Sequence, residues 1–423
     1  MEPISSFPDF PDNGTLQINV YSQNVLIPIS GATVTVTSES GNRPVREQIS
    51  TDSSGQTETL TLPTPPLEYS LIPQETQPYS QYDITISAPG YETTTITGTQ
   101  LLANELAIQN VRLNPLPDTT PGIAEPVSDI IIPPHTLNYD YPPKIPEAEI
   151  KPLPDTGEIV LSQVVIPEYI IVHDGLPDDD SAQNYYIPYK DYIKNVASSE
   201  IYATWPESTI YANILAIMSF TLNRVYTEWY RGKSKPFTIT SSTAFDQKWI
   251  YGRNIFSNID YLVDSIFANY LSRPGVRQPI LTSYCDGRRV TCEGLSQWGS
   301  KYLGDEGYSA IEIIRYYYGN DMYINTAQAI SGVPSSYPGY TLTIGSSGQK
   351  VYQMQEQLNR IARNFPAIPR ISTDGVYGPA TADAVRTFQR VFDLPATGDT
   401  DYPTWYAISD IYVGVSRIAE PGQ

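Results

Sequence analysis

Proline is what most restricts how this chain can fold. Between Pro115 and Pro154 prolines crowd together, with Pro133-Pro134, Pro142-Pro143 and Pro152-Leu153-Pro154 among them. Each fixes its own φ and lacks an N–H, so neither a helix nor a central strand can run through the stretch. It divides the 423 residues into separate parts, and such a length fits two to four domains rather than one core. The expectation is a linker over 116–158, exposed and a natural site for proteolysis.

The two sides of this stretch have different periods. Before it, Leu16-Gln17-Ile18-Asn19-Val20, Ala32-Thr33-Val34-Thr35-Val36-Thr37 and Tyr82-Asp83-Ile84-Thr85-Ile86 alternate apolar and polar, as half-buried strands do. The turns Asp52-Ser53-Ser54-Gly55 and Pro89-Gly90 separate them, and the expectation for 1–115 is a small antiparallel β-sandwich. After it, Ile210, Ile214, Ile217, Met218, Thr221 and Val225 mark one face of a long helix, started at Pro206 and Ser208 and stopped by Gly232. Ile259, Leu262, Val263, Ile266, Phe267 and Tyr270 mark a second helix, and Ile311, Ile314 and Tyr317 a third. Strand-like Tyr169-Ile170-Ile171-Val172 and Phe237-Thr238-Ile239-Thr240 lie between, so 159–335 is expected to be α+β. From 340 to 415 the pattern is a three-helix bundle with a turn at Asp374-Gly375-Val376-Tyr377-Gly378.

Charge and composition exclude several functions. With 26 basic against 46 acidic residues the net charge is −20, opposite to what nucleic acid or an anionic membrane surface requires; a neutral glycan needs no positive field. The 33 Tyr against 10 Phe and 5 Trp suit carbohydrate contacts and equally suit a β-rich fold with half-buried tyrosines. No apolar run is long enough to span a membrane, and the start Met1-Glu2-Pro3-Ile4-Ser5-Ser6 lacks the pattern of a secretory signal. Two histidines, His135 and His173, and two cysteines leave little for a zinc site, and no cofactor or metal is expected. The run Asp178-Asp179-Asp180 reads as a solvated turn, with a cation site as the alternative.

The N-terminal pattern, with Pro28-Ile29-Ser30-Gly31-Ala32-Thr33-Val34, Thr51-Asp52…Gly55 and Pro89-Gly90-Tyr91, resembles the prealbumin-like, carboxypeptidase regulatory-type domain, which implies a spacer, a docking module or a pro-region. The C-terminal unit resembles the three-helix peptidoglycan-binding domain. It does so through Gly345…Gly348-Gln349-Lys350-Val351…Gln355…Leu358 and Asp374-Gly375-Val376-Tyr377-Gly378-Pro379-Ala380-Thr381…Ala384-Val385…Phe388-Gln389. That resemblance implies docking on glycan strands or stem peptides, with Asp374, Tyr377 and Gln389 as its marker positions.

The middle unit is similar to the catalytic domain of the stage II sporulation protein D/LytB type. The carrying residues are Asp191-Tyr192-Ile193 through Glu200, then Thr204-Trp205-Pro206, Gly294-Leu295-Ser296-Gln297-Trp298-Gly299 and Ile313-Ile314-Arg315-Tyr316-Tyr317-Tyr318-Gly319. The order of parts resembles cortex-lytic enzymes of clostridial spores that are stored as zymogens. Together these imply a lytic transglycosylase in the spore cortex or cell wall, freed of its N-terminal part by a subtilisin-like protease. Glu200 aligns with the family's catalytic Glu, among apolar Val196, Ala197, Ile201 and Trp205 that would raise its pKa. Glu207 and Glu228 read as solvated.

Trp205, Tyr284, Ser296, Gln297 and Trp298 are expected along the substrate groove, Gln297 bonding sugar and Trp298 stacking on it; the rival reading buries Trp298 in the core. Cys285 and Cys292 are expected as inert thiols, with a local disulfide and zinc as alternatives. Two further readings stay open: a glycosidase that uses water, which needs a second carboxylate, and a non-catalytic wall-binding partner of another lysin. A structural or adhesive role ranks below them.

Overall fold

The computed structural model describes residues 11–23, 26–38, 44–116, 127–151, 164–327, 329–331 and 337–416. The N-terminal unit contains β1 (Asp12–Ser22), β2 (Thr33–Ser38), β3 (Val45–Ser50), β4 (Leu60–Thr64), the single helical turn α1 (Glu68–Leu71), β5 (Ser80–Ser87), β6 (Thr93–Leu101), β7 (Leu106–Leu113) and β8 (Val127–Ile131). One sheet runs β3-β2-β5-β6-β8 and the other runs from Ile255–Phe256 through β7 and β1 to β4. Period-two burial builds the core: Leu16, Ile18, Val20, Val34, Val36, Ile84 and Ile86 are all fully buried, each contributing about 1.5–3 kcal/mol.

The sheets are mixed rather than purely antiparallel, because β1 pairs with β7 and β6 with β8 in parallel. The sandwich also takes material from beyond 115. β8 comes from the stretch expected as a linker, and the edge of β7 is completed by Ile255 and Phe256 of the middle unit. Asn254 seals that junction, its side chain bonding both the N–H and the C=O of Gln100 at 3.1 and 2.9 Å. A sheet edge otherwise leaves such groups unpaired.

The Pro-rich stretch is packed rather than free across 132–151; its other parts, 117–126 and 152–163, lie outside the described residues. Its charges account for this. Glu147 takes a two-pronged bond from the Arg224 guanidinium at 2.6 and 2.9 Å, and Glu149 takes one from Arg273 at 2.7 and 2.8 Å. Leu281 N–H bonds the Glu149 carbonyl, and Lys151 N–H bonds Gln278. An extended proline-rich backbone makes few internal hydrogen bonds; apart from the 3-10 turn at Thr136–Asn138, carbonyls and side chains of this stretch are available to neighbours.

The middle unit is α+β. Tyr169–His173 lies between Asn184–Pro188 and Ile239–Thr240 in a small sheet. Around it pack α2 (Tyr189–Glu200), α3 (Glu207–Tyr226), α4 (Ser257–Ile266), α5 (Gln297–Asp305) and α6 (Ala310–Tyr318). α3 is buried nearly all round, which marks it as the central helix. It ends six residues before Gly232, where Thr227 N–H returns to Asn223 and Glu228 turns the chain at φ 45°.

The C-terminal unit packs α7 (Gln349–Ile361), α8 (Pro379–Val391) and α9 (Tyr402–Ser416). Gln355 pins its turn, accepting from the N–H groups of Asp374 and Gly375 and donating to Asp374, Val376 and Thr381. The bundle touches both other units: Gln56 bonds the Val391 carbonyl, Lys190 pairs with Asp410, and Phe267 packs on Tyr402 and Tyr406.

Candidate active site

Glu200 is the last residue of α2 and is 4% exposed. Three of the carbonyls at this helix end are taken by groups from outside the helix: Arg253 donates to Ser198, Thr136 to Ser199 and His135 meets Ile201, satisfying acceptors that a helix end leaves over. Burial holds the neutral form of His135, pushing its pKa well down. A helix C-terminus carries partial negative charge, so the fold sets a carboxyl where both burial and dipole oppose its ionisation.

Glu200 Oε1 accepts from Lys248 N–H at 2.7 Å. Oε2 has no hydrogen-bond partner among the described residues; the Tyr284 hydroxyl stands near enough to pull the carboxyl pKa down without meeting hydrogen-bond geometry. Burial is the largest influence and raises the pKa; the Lys144 ammonium opposes it most, and the net direction is upward.

Above Glu200 lies a cavity of about 70 Å³, walled by Lys144, Tyr141, Tyr284, Asp286, Arg289 and Gln297, among others. That is room for a few waters and far below the ~300 Å³ of an ordinary ligand site. The cover is the Pro-rich stretch itself, with Thr136, Tyr139, Tyr141, Pro142 and Lys144 on the cavity wall. Lys144 Nζ donates to the Asp246 carbonyl at 2.6 Å and lies 4.3 Å from the Tyr284 ring centroid. Sequence patterning gave no sign of this lysine's position, because the stretch was read only for its prolines.

The two other carboxylates on the cavity wall are both engaged. Asp246 bonds Arg224, Tyr230 and Thr240, and Asp286 caps the N–H groups of Arg288, Arg289 and Val290.

Of the expected groove residues, Tyr284 and Gln297 reach the cavity. Trp298 is buried with Trp205, their ring centroids 5.0 Å apart, and Tyr202 closes the cluster. Trp205 Nε1 also donates to Ser70 O of the sandwich, so both tryptophans are core here, as the rival reading had it for Trp298. Ser296 caps α5 through Gly299 N–H. In the C-terminal unit Tyr377 and Gln389 are fully buried, bonding Gly398 and Asp399 carbonyls, and Asp374 serves its own turn; these positions hold the fold.

Cys285 and Cys292 form a disulfide, not the pair of thiols expected. The seven-residue separation and the turn stabilised by Asp286 bring them together. Glu207 and Glu228 are exposed as expected. His173 is committed to Asn184, Leu176 and the Phe237 ring, and Asp178 pairs with Lys235.

Residues 347–408 match the family described as a peptidoglycan binding domain. No curated protein matches the chain. Among solved structures, the Bacillus anthracis TIE protein is 16% identical over 25% of this chain and 17% of its own, with a TM-score of 0.18. The minor pilin GBS52 of Streptococcus agalactiae is 14% identical over 26% of this chain and 48% of its own, at 0.18. The 3-chlorocatechol 1,2-dioxygenase of Rhodococcus opacus 1CP is 12% identical over 27% and 68%, at 0.17. Scores this low carry no inference about fold or function. Among the described residues no helix is long and apolar enough to cross a membrane. The chain carries a C-terminal peptidoglycan-binding domain, which makes peptidoglycan a partner and the cell wall its place of association.

Proposed function

We propose that this protein is a peptidoglycan-cleaving enzyme, a lytic transglycosylase of the spore cortex, held inactive until a subtilisin-like protease severs its N-terminal part. The observation that carries the reading is Glu200: a buried carboxyl with a raised pKa on the wall of a cavity, with the Tyr284 hydroxyl beside it. Such a group keeps a proton near neutrality for the leaving oxygen of a β-1,4 bond. The C6 hydroxyl of the muramic residue then attacks C1 and returns a proton to the Glu200 carboxylate, giving a 1,6-anhydro end with no net proton consumed. The engagement of Asp246 and Asp286 favours this one-carboxyl route over a water-using glycosidase, which needs a free second carboxylate.

The small cavity supports storage in an inactive form, since about 70 Å³ beside Glu200 does not hold a disaccharide at the carboxyl. A cut within 152–163 would break the covalent link between the Pro-rich stretch and the middle unit; a cut within 117–126 would leave that link intact. The small cavity also suits a second reading, a non-catalytic wall-binding partner of another lysin. Mass spectrometry of cortex digested by the subtilisin-treated full chain separates them. Anhydro-muramic ends, absent with Glu200→Gln, are the expected result. Reducing ends would make it a hydrolase, and no cleavage with wall binding intact would leave the partner role.

A further inference from the structure

Arg289 lines the Glu200 cavity, and its chain neighbour Arg288 shares a carboxylate partner with it. The loop presenting them is rigid for three separate reasons. The Cys285–Cys292 disulfide closes it. Asp286 caps three of its N–H groups. Gly287, at φ 75°, sits so tightly on Ser296 that a Cβ would come within 1.8 Å of Oγ. Arg289 is further oriented by the Leu137 carbonyl at 2.8 Å.

One carboxylate spans the pair. Glu75, from the sandwich loop between α1 and β5, takes Arg288 on one oxygen at 3.0 Å and Arg289 on the other at 2.9 Å. Glu75 is itself 77% exposed, and an exposed ion pair of this kind contributes little stability. It is a displaceable occupant of a preorganised fork. In a chain of net charge −20, such a fork is where an anionic substrate group would be drawn.

We propose that Arg288 and Arg289 form a carboxylate-binding subsite for the muramoyl side chain of the glycan, and that Glu75 occupies it in the intact protein. This rests on the peptidoglycan-cleaving reading above. Two sources carry the chemistry: the free lactyl carboxylate of a peptide-stripped muramic residue, and a carboxylate of the stem peptide.

Calorimetry on the full chain tests it. The probes are the N-acetylglucosamine–N-acetylmuramic acid disaccharide, the same disaccharide with its lactyl group amidated by a tetrapeptide, and neutral chitobiose. Glu75→Gln is expected to tighten a carboxylate-bearing probe by about tenfold, the size of one good charge-assisted contact, and to leave chitobiose unchanged. Which probe gains identifies the source. Adding Arg288→Gln and Arg289→Gln should abolish the gain, while Lys at both positions should keep part of it, showing that the loop is folded. The C-terminal domain is common to all variants and cancels. Equal affinities with and without Glu75, or an equal gain for chitobiose, would overturn the subsite. Binding is read without turnover, so a subsite on a protein that never cleaves cortex would refute only the enzymatic reading. Cleavage with no Glu75 effect on binding would refute only the subsite.

Discussion

Lys144→Met should stabilise the protein at neutral pH, an unusual expectation for removing a charge that favours the ionised form of a nearby carboxyl. Burial lowers the Lys144 pKa from 10.5 to about 8, although Glu200 and Asp246 pull it back up. With each pKa unit about 1.4 kcal/mol, holding this lysine charged in the fold costs about 3 kcal/mol at pH 7. The sign follows from proton counts. Below pH 8 both folded and unfolded chains carry the proton and the cost is constant. Between about 8 and 10.5 only the unfolded chain carries it, so stability rises with pH until the cost is gone. Methionine fills the same length without charge, so its advantage should be up to about 3 kcal/mol at pH 7 and vanish by pH 10.5. Urea unfolding of both proteins at the two pH values measures this difference. Groups remote from Lys144 cancel in the subtraction; Glu200 does not, because losing the ammonium raises its carboxyl further and reduces the gain at pH 7. A less stable variant at pH 7, or a gain unchanged at pH 10.5, would refute the picture of a half-buried lysine held charged over Glu200.

Glu200→Gln should also stabilise at pH 8, because a carboxyl raised by burial costs stability above its ordinary range. The difference should shrink as pH falls through the raised value, which urea titrations at pH 8 and 4 would show. Gln355→Ala leaves the turn N–H groups of Asp374 and Gly375 without their acceptor; with about 1–3 kcal/mol per buried orphan, the C-terminal unit should lose its fold and sedimentation with peptidoglycan should fail. Reducing Cys285–Cys292, which closes a loop of seven-residue separation, should cost about 2–3 kcal/mol in urea unfolding on the chain-entropy scale. Gly287→Ala adds left-handed strain to a clash with Ser296 and should cost about 2 kcal/mol or more by the same assay.

What the sequence made legible was whatever depends on local period and turn chemistry. The alternations in β1, β2 and β5, the burial of α3, and the turn at Asp374-Gly375 all follow from residues a few positions apart. Glu200 was legible through its motif, and its burial through the apolar residues around it. The Pro-rich stretch was misread because proline forbids regular structure without forbidding packing. Its place is set by Glu147, Glu149 and Lys144, whose hydrogen-bond partners Arg224, Arg273 and Asp246 lie 77, 124 and 102 residues away in the chain. The same distance hid the roles of Trp205 and Trp298: an aromatic in a motif can face sugar or core, and only the arrival of Ser70 and Tyr202 decides.

The contacts that hold the cover differ in strength along its length, and this fixes where release would begin in the proposed activation. At residues 147–151 the bonds are buried. Arg224 joins Glu147 and Asp246 with its own side chain wholly inaccessible, and breaking such a pair typically costs about 3–5 kcal/mol. At residues 136–140 they are fewer and less buried: Thr136 to Ser199 and Leu137 to Arg289 are part-buried, and Asp140 to Arg289 has its carboxyl almost fully exposed. The sandwich adds Glu75 to the same two arginines, again in water. A cut alone therefore would not empty the cavity, because the buried anchor outlasts it. The exposed rim gives way first, at the arginine pair where a carboxylate on the glycan competes with Glu75. In that scheme substrate binding and uncovering of Glu200 are coupled, and the wall polymer would itself help complete the activation that the protease starts.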